Sequence, residues 1–231
     1  MAVNRVSLDF KEGELTSIIG PNGAGKTTLF NLISGKTKAS AGKIRFKGDD
    51  ITKLAPYEIV RKGIGRIFQI TNLFPELTVY ENVRVPVLAR KRETSRLLSL
   101  DRSLRDVNEE TSRILGLIGL SEKSDITCNA LSHGDQRLVE TGVALALEPV
   151  LLLLDEPTGG MGPEETDEMV KFVRGLNENR NITIILVEHD MRVVFSISDR
   201  IIVMHSGGVI ADGKPDEIQA DERVKEAYLG R

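Results

Sequence analysis

No block of basic residues, no second cysteine and no long apolar run occurs in these 231 residues. Each absence removes a class of function. Acids and bases are interspersed and the formal charge is −3, so nothing suggests a nucleic-acid partner or binding to anionic lipid. The single cysteine, Cys128, excludes an internal disulfide and has no metal-ligand spacing around it. It fits a reducing compartment and reads as structural or incidental. The longest apolar stretches, such as Val150 to Leu154, fall far short of a membrane span. Met1-Ala-Val-Asn-Arg-Val6 is not a signal peptide. Neither an internal repeat nor a low-complexity tract is present. The expectation is a soluble chain, forming one large domain or a domain with a lobe, that reaches a membrane only through partners.

What is present names a ligand class. Gly20 to Thr27 read Gly-Pro-Asn-Gly-Ala-Gly-Lys-Thr, filling the phosphate-loop pattern G-x-x-x-x-G-K-[ST]. Glu14 to Ile19 before it is apolar and β-branched enough for a buried strand. Thr28 to Ser34 after it is apolar at helical spacing and stops at Gly35. Strand, glycine loop and helix are the context the pattern requires. Gly20, Gly23 and Gly25 remove the Cβ atoms that would hold the backbone off a phosphate, and they permit positive φ. The loop N–H groups then converge on an anion at a helix N-terminus. The nucleotide-binding candidates are Gly20, Pro21, Asn22, Gly23, Ala24, Gly25, Lys26, Thr27 and Thr28. Lys26 is placed to reach the β- and γ-phosphates, and the Thr27 hydroxyl to ligate Mg²⁺.

Along the chain, Val6 to Phe10, Lys11-Glu12-Gly13 and Leu15 to Ile19 read as a hairpin feeding the loop. Lys43 to Phe46 reads as a short strand, Pro56 to Lys62 as a short helix closed by Gly63, and Ile64 to Ile70 as a strand containing Gln69. From Thr78 to about Leu120 apolar residues recur at helical spacing in charged sequence, as in Leu97, Leu100 and Leu104, or Val107, Ile114, Leu117 and Ile118. This predicts a helical lobe inserted between two parts of an α/β core. Val150 to Leu154 and Ile182 to Val187 are unbroken apolar runs, as expected of parallel strands covered on both faces. Ser206-Gly207-Gly208 between Ile201 to Met204 and Val209 to Ala211 signals a hairpin. Pro215-Asp216-Glu217 opens a final helix.

The first of these runs, Val150 to Leu154, leads into Asp155-Glu156. Asp155 can hold Mg²⁺, usually through water, and Glu156 can orient or deprotonate an attacking water. Leu131-Ser-His-Gly-Asp-Gln136 precedes a helix running to about Leu147, and Ser132 and Gly134 at its N-terminus would make a second anion site. With these residues the chain resembles the ATP-binding-cassette (ABC) ATPase family, whose signature is Leu-Ser-Gly-Gly-Gln at this place. Gln69 matches the family's Q-loop glutamine, Asp155 and Glu156 its Walker B pair, and His189 in Val187-Glu-His-Asp190 its switch histidine. The resemblance covers nearly the whole chain.

It implies an α/β fold: a P-loop NTPase core, RecA-like with a mainly parallel sheet, carrying an antiparallel β subdomain and an inserted α-helical subdomain. Residues 1–231 would form a single cassette, with 1–70 and 148–231 as core and about 71–147 as helical subdomain. It also implies ATP and Mg²⁺ as cofactors, with Thr27, Gln69 and Asp155 around the metal, and ATP hydrolysis by Glu156, His189 and Gln69. Two cassettes pair head to tail in this family, so Ser132, Gly134 and Gln136 would meet nucleotide held by the partner. His189 would bond the γ-phosphate, and Gln69 would relay occupancy to a membrane subunit.

The chain departs from the family pattern in four places. His133 and Asp135 replace a signature glycine and glutamine, and Asp135 is expected to point away or cap its helix. Thr158 to Pro163 lacks the usual Ser-Ala-Leu-Asp. Gly142 sits inside the signature helix, at about 1 kcal/mol relative to alanine. The N-terminal strand that usually bears an adenine-stacking aromatic has no counterpart before Phe10, from which weak, base-unselective nucleotide binding is expected. His133 and His205 read as structural or surface residues.

Phe68-Gln-Ile-Thr-Asn-Leu-Phe-Pro-Glu-Leu-Thr-Val-Tyr-Glu-Asn-Val83, Leu131 to Arg137, Asp155 to Met161 and Glu226-Ala-Tyr-Leu-Gly230 resemble ATP-binding subunits of prokaryotic branched-chain amino acid importers, the LivG type more than LivF. That implies integral-membrane permeases and a second cassette as partners, in a hetero- or homodimer, and indirectly an extracytoplasmic solute-binding protein. The location would be the cytoplasmic face of the membrane. Leu73-Phe74-Pro75, apolar in a loop after Gln69, is the expected permease contact. Urea or amide uptake, lipopolysaccharide export, a non-transport regulator and a weakly hydrolysing nucleotide-binding module remain the alternatives.

Overall fold

The computed structural model describes residues 2–67, 73–91 and 100–229. In chain order its strands are β1 (Leu15–Ile19), β2 (Arg45–Phe46), β3 (Asp49–Asp50), β4 (Ile64–Ile67), β5 (Leu151–Asp155), β6 (Thr183–Val187), β7 (Arg200–His205) and β8 (Gly208–Gly213). Its helices are α1 (Lys26–Ile33), α2 (Pro56–Arg61), α3 (Val79–Lys91), α4 (Leu100–Leu117), α5 (His133–Leu145), α6 (Pro163–Arg180), α7 (Met191–Ile197), α8 (Pro215–Ala220) and α9 (Glu222–Leu229).

Six strands form the central sheet in the order β4-β5-β6-β1-β7-β8. The first five are parallel, and β8 returns antiparallel to β7. Both central residues of that return, Ser206 and Gly207, have positive φ, which suits a tight hairpin. Strand alternation sends Leu152, Leu154, Ile184 and Leu186 to one face and Leu153, Ile185, Val187 and Ile18 to the other. Both faces are covered, which is why the strands read as unbroken apolar runs. Phe30 and Ile33 of α1 close the second face. Val139 and Leu145 of α5, with Met169, Val173 and Leu176 of α6, close the first. A third cluster joins Ile19, Ile201 and Val203 to Val194, Ile218 and Val224 of the last three helices.

The hairpin expected around Lys11-Glu12-Gly13 does not form. Residues 2–14 contain no strand, although Val3, Leu8 and Phe10 turn inward onto the second cluster. Both edges of β1 are already taken, by β6 from Leu15↔Ile184 and by β7 from Thr16↔Arg200. Antiparallel strand pairing among the described residues occurs instead in the return of β8 and in the small β2–β3 sheet, which turns through Lys47 and Gly48 at φ 49 and 85, with one isolated antiparallel bridge between Thr78 and Thr127. The short helix begins at Pro56 as expected and ends at Arg61, with Lys62 as its cap and Gly63, φ 96, just beyond. The C-terminal helix is two, α8 and α9, separated by Asp221. Gln69, Leu97 and Gly230 lie outside the described residues, as do the side chains of Leu100 and Leu104.

The helical region packs α5 against α3 and α4. Gly142 explains itself here: a Cβ would lie 2.9 Å from Ile118 Cδ1 and 3.3 Å from Val83 Cγ2. The glycine costs helix propensity and gains close approach of three helices. Among the described residues, no helix is long and apolar enough to cross a membrane.

Candidate active site

The phosphate loop leaves the C-terminal end of β1 between its neighbours. A Cβ on Gly20, φ 148, would sit 2.1 Å from the Met204 carbonyl oxygen, and one on Gly25, φ 106, would sit 2.2 Å from that of Ala2. Backbone contact on both sides therefore excludes any side chain at these positions. The turn is closed by the Ala24 N–H donating to Pro21 O at 3.1 Å. Gly25 caps α1 without a side-chain bond, and the first turn carries no acid, so the first N–H groups of the helix are available to an anion. Lys26 Nζ donates to Gly20 O at 2.6 Å and to Pro21 O at 3.2 Å. Burial pulls its pKa below the ordinary lysine value, while the carboxylates of Glu156 and Asp155 oppose that shift. The ammonium thus shares a field with both carboxylates foreseen at the end of β5. Thr27 is exposed and Thr28 half-buried.

Asp155 is the last residue of β5. Its Oδ2 accepts from Arg66 Nη2 at 2.9 Å, with both side chains about 6 % exposed. Arg66 Nη1 also donates to Asn31 Oδ1 at 2.7 Å and to Ser34 Oγ at 3.0 Å, and the guanidinium lies 5.5 Å from the Phe30 ring centroid. One side chain thereby ties β4, β5 and α1 together. The sequence reading passed over Arg66; the available signal was a charged residue inside an otherwise apolar strand.

Glu156 follows β5 with a left-handed backbone, φ 52. Its N–H donates to Val187 O at 2.8 Å. His189 follows β6, and its Nε2 lies 2.9 Å from Glu156 Oε1. These two residues, predicted from separate motifs, line one cleft of about 270 Å³ with Thr158 and Glu188.

Ser132, Gly134 and Asp135 of the signature border another cleft, of about 430 Å³, shared with Met161 and Glu165. Ser132 Oγ accepts from the Asp135 N–H at 3.1 Å and caps α5. Asp135 turns to Lys123 at 2.6 Å, as its charge demanded. Gln136 Nε2 donates to Leu131 O at 3.3 Å, within its own turn. Gly134 is buried against Glu165, and His133 lies beside Gly160.

The profile of the ABC transporter family matches residues 3–159. The chain belongs to the ABC transporter family. A profile for the branched-chain amino acid ATP-binding cassette transporter matches residues 209–231 of this cassette. It is 39 % identical over 236 residues to the high-affinity branched-chain amino acid transport ATP-binding protein BraF of Pseudomonas aeruginosa, covering 100 % of this chain and 92 % of that one. It is likewise 39 % identical over 235 residues to LivG of Escherichia coli, with the same coverage. Among solved structures, a nucleotide-free ATP-binding cassette from an ABC transporter superposes with a TM-score of 0.86 at 32 % identity, covering 100 % of this chain and 93 % of that one. The fold is therefore the α/β cassette ATPase fold.

The cassette's residues fit a magnesium ion. A threonine hydroxyl and an aspartate oxygen are hard donors, and Mg²⁺ characteristically takes one or two such groups with phosphate and water completing its shell. Arg66 occupies Oδ2 of Asp155 and so fixes which way the carboxylate faces.

Proposed function

We propose that this cassette hydrolyses ATP to drive a branched-chain amino acid importer, working as one of two paired cassettes beneath integral-membrane permeases on the cytoplasmic side. The observation that carries the ATPase mechanism is the 2.9 Å contact between His189 and Glu156 beside the phosphate loop. Loop amides and Lys26 would hold the β- and γ-phosphates, and Thr27 and Asp155 would hold Mg²⁺, which would supply neutralisation of phosphate charge. Glu156 accepts the proton of the attacking water. His189 Nε2 faces that carboxylate, and on nucleotide binding its N–H would turn to the γ-phosphate. By the family resemblance, Gln69 would contact the metal and link the site to the membrane subunit.

Ser132 and Gly134 border a cleft that contains neither Glu156 nor His189, which favours their serving, with Gln136, the nucleotide of a neighbouring cassette. The solute assignment rests on the match of residues 209–231 and on the full-length relatives. An extracytoplasmic binding protein would select that solute.

Phe74 is 58 % exposed, and its backbone is held in place by Asn82: Phe74 N–H donates to Asn82 Oδ1 at 2.9 Å, and Asn82 Nδ2 to Phe74 O at 3.0 Å. An apolar side chain presented from a pinned loop suits a permease contact. Phe74→Asp should abolish stimulation by the permeases while unstimulated hydrolysis persists; stimulation that survives refutes the contact.

The deciding experiment reconstitutes the chain with its two permeases, second cassette and binding protein. Leucine, isoleucine or valine should stimulate ATP hydrolysis and enter vesicles. Glu156→Gln should bind ATP, trap a nucleotide-bound dimer on size exclusion, and lose turnover by roughly 10²–10⁴-fold, the contribution of a positioned general base. Stimulation by another solute class would overturn the importer assignment, and full turnover in Glu156→Gln would overturn the mechanism.

A further inference from the structure

We propose that Glu188 is a positioning residue that fastens the loop carrying Glu156 to the loop carrying His189. The inference rests on the roles given to those two residues above.

Glu188 is only 3 % exposed. Burying a carboxylate is costly unless its oxygens are satisfied. Here the donors come from two different loops. Oε1 accepts from the Thr158 N–H at 3.1 Å and from the Thr158 hydroxyl, on the turn after β5. Oε2 accepts from the His189 N–H at 2.8 Å, with the Asp190 N–H at 3.5 Å, on the turn after β6. Every donor is an amide or a hydroxyl, and no salt bridge to Glu188 occurs among the described residues. Such charge-assisted bonds are roughly twice as strong as neutral ones. The carboxylate therefore serves as a bracket between two backbones.

The bracket lies where the site needs one. Glu156 holds a left-handed backbone, and a conformation of this kind persists only where its surroundings over-determine it. On one side its N–H is bound to Val187 O at 2.8 Å. Two residues further on, Thr158 is bound to Glu188. The same carboxylate holds the backbone of His189, whose ring reaches Glu156. Without the bracket, what joins the two loops beyond the backbone bond from Glu156 to Val187 is the side-chain contact they are meant to produce. The turn from Thr158 to Met161 lines the first cleft, and its last residue, Met161, also lines the second.

Glutamine at position 188 keeps shape but replaces one acceptor oxygen with an N–H₂ donor. In either flip it opposes a donor from Thr158 or from His189. The test compares Glu188→Gln, Thr158→Val, Thr158→Ser and the Glu188→Gln/Thr158→Val pair in the full chain. Three quantities are measured: ATP affinity, turnover, and the amide resonances of Thr158 and His189. Glu188→Gln should lower kcat by about 10–100-fold, part of what a positioned general base contributes, with ATP Kd changed less than about threefold. Thr158→Val should lower kcat in the same direction and shift the amide of His189, the residue after Glu188, which itself lies thirty residues from Thr158. Thr158→Ser should restore both, and the double variant should lose no more than Glu188→Gln alone.

Wild-type kcat in Glu188→Gln, an equal loss of ATP affinity, additive losses, or an unmoved His189 amide in Thr158→Val would each overturn the proposal. If Glu188→Gln does not fold, the Thr158 pair decides. A wild-type chain that neither binds nor hydrolyses ATP would sink the underlying ATPase reading instead, whereas an active wild type with unaffected variants sinks only this inference.

Discussion

The helix behind the phosphate loop starts bare, and the helix behind the signature turn starts capped. Gly25 gives α1 no side-chain cap and its first turn holds no acid, whereas Ser132 caps α5 and Asp135 sits in its first turn. Both N-termini carry the partial positive charge of a helix start. Only the first leaves its amides uncommitted on a loop already shaped by glycine. The second has committed an amide to Ser132 and holds its acid aside with Lys123. Ser132 can still donate its own hydroxyl hydrogen while accepting that amide. One start is therefore a cradle, and the other can only complete a site whose main contacts lie elsewhere, which accords with the proposed pairing of cassettes.

The strongest way to break this contrast is to remove what seats α1. Arg66→Met leaves Asp155 buried without its cation, at a cost of about 3–5 kcal/mol, read by denaturant unfolding. Arg66→Lys should recover only part, because an ammonium cannot reproduce the guanidinium fork across β5 and α1. Unchanged stability would mean that the cradle needs no such anchor. Next in size, Lys26→Ala should weaken ATP binding by about 100-fold, the loss of one strong charge-assisted contact, measured by calorimetry. Affinity near wild type would place the phosphates elsewhere.

The capped helix should behave in the opposite way. Ser132→Ala should cost about 1 kcal/mol of stability through loss of the cap. ATP affinity of the single chain should stay unchanged, while turnover in the assembled transporter falls. If affinity of the lone chain falls as well, the two starts belong to one site and the contrast fails. Least of all, Lys123→Ala should cost under about 1 kcal/mol, and less at high salt, because that pair is partly solvated.

What the sequence discloses about this site depends on distance along the chain. The phosphate loop is contiguous, and its glycines announce their backbone, so Gly20 to Thr28 were readable together. Asp155 and Glu156 were readable because they end an apolar run. Arg66 and Glu188 were not, because their partners lie 89 and 30 residues away and only the parallel sheet brings β4, β5 and β6 side by side. The failed hairpin has a related cause. Alternation in Val6 to Phe10 reports an inward-facing segment correctly, yet it carries no information about which strand edges remain open. Competition from β6 and β7 for β1 settles that. Gly142 likewise reads as a flaw in a helix until Ile118 and Val83 are seen against it.

The left-handed turn at Glu156 has a consequence for how this protein can be improved. A glutamate there carries about 1–3 kcal/mol of conformational cost that glycine would not. Selection for heat resistance alone would favour glycine at that position and discard the hydrolytic group with it. Robustness and turnover are opposed at this residue, and screens for hardier versions of this protein need an activity filter to keep it.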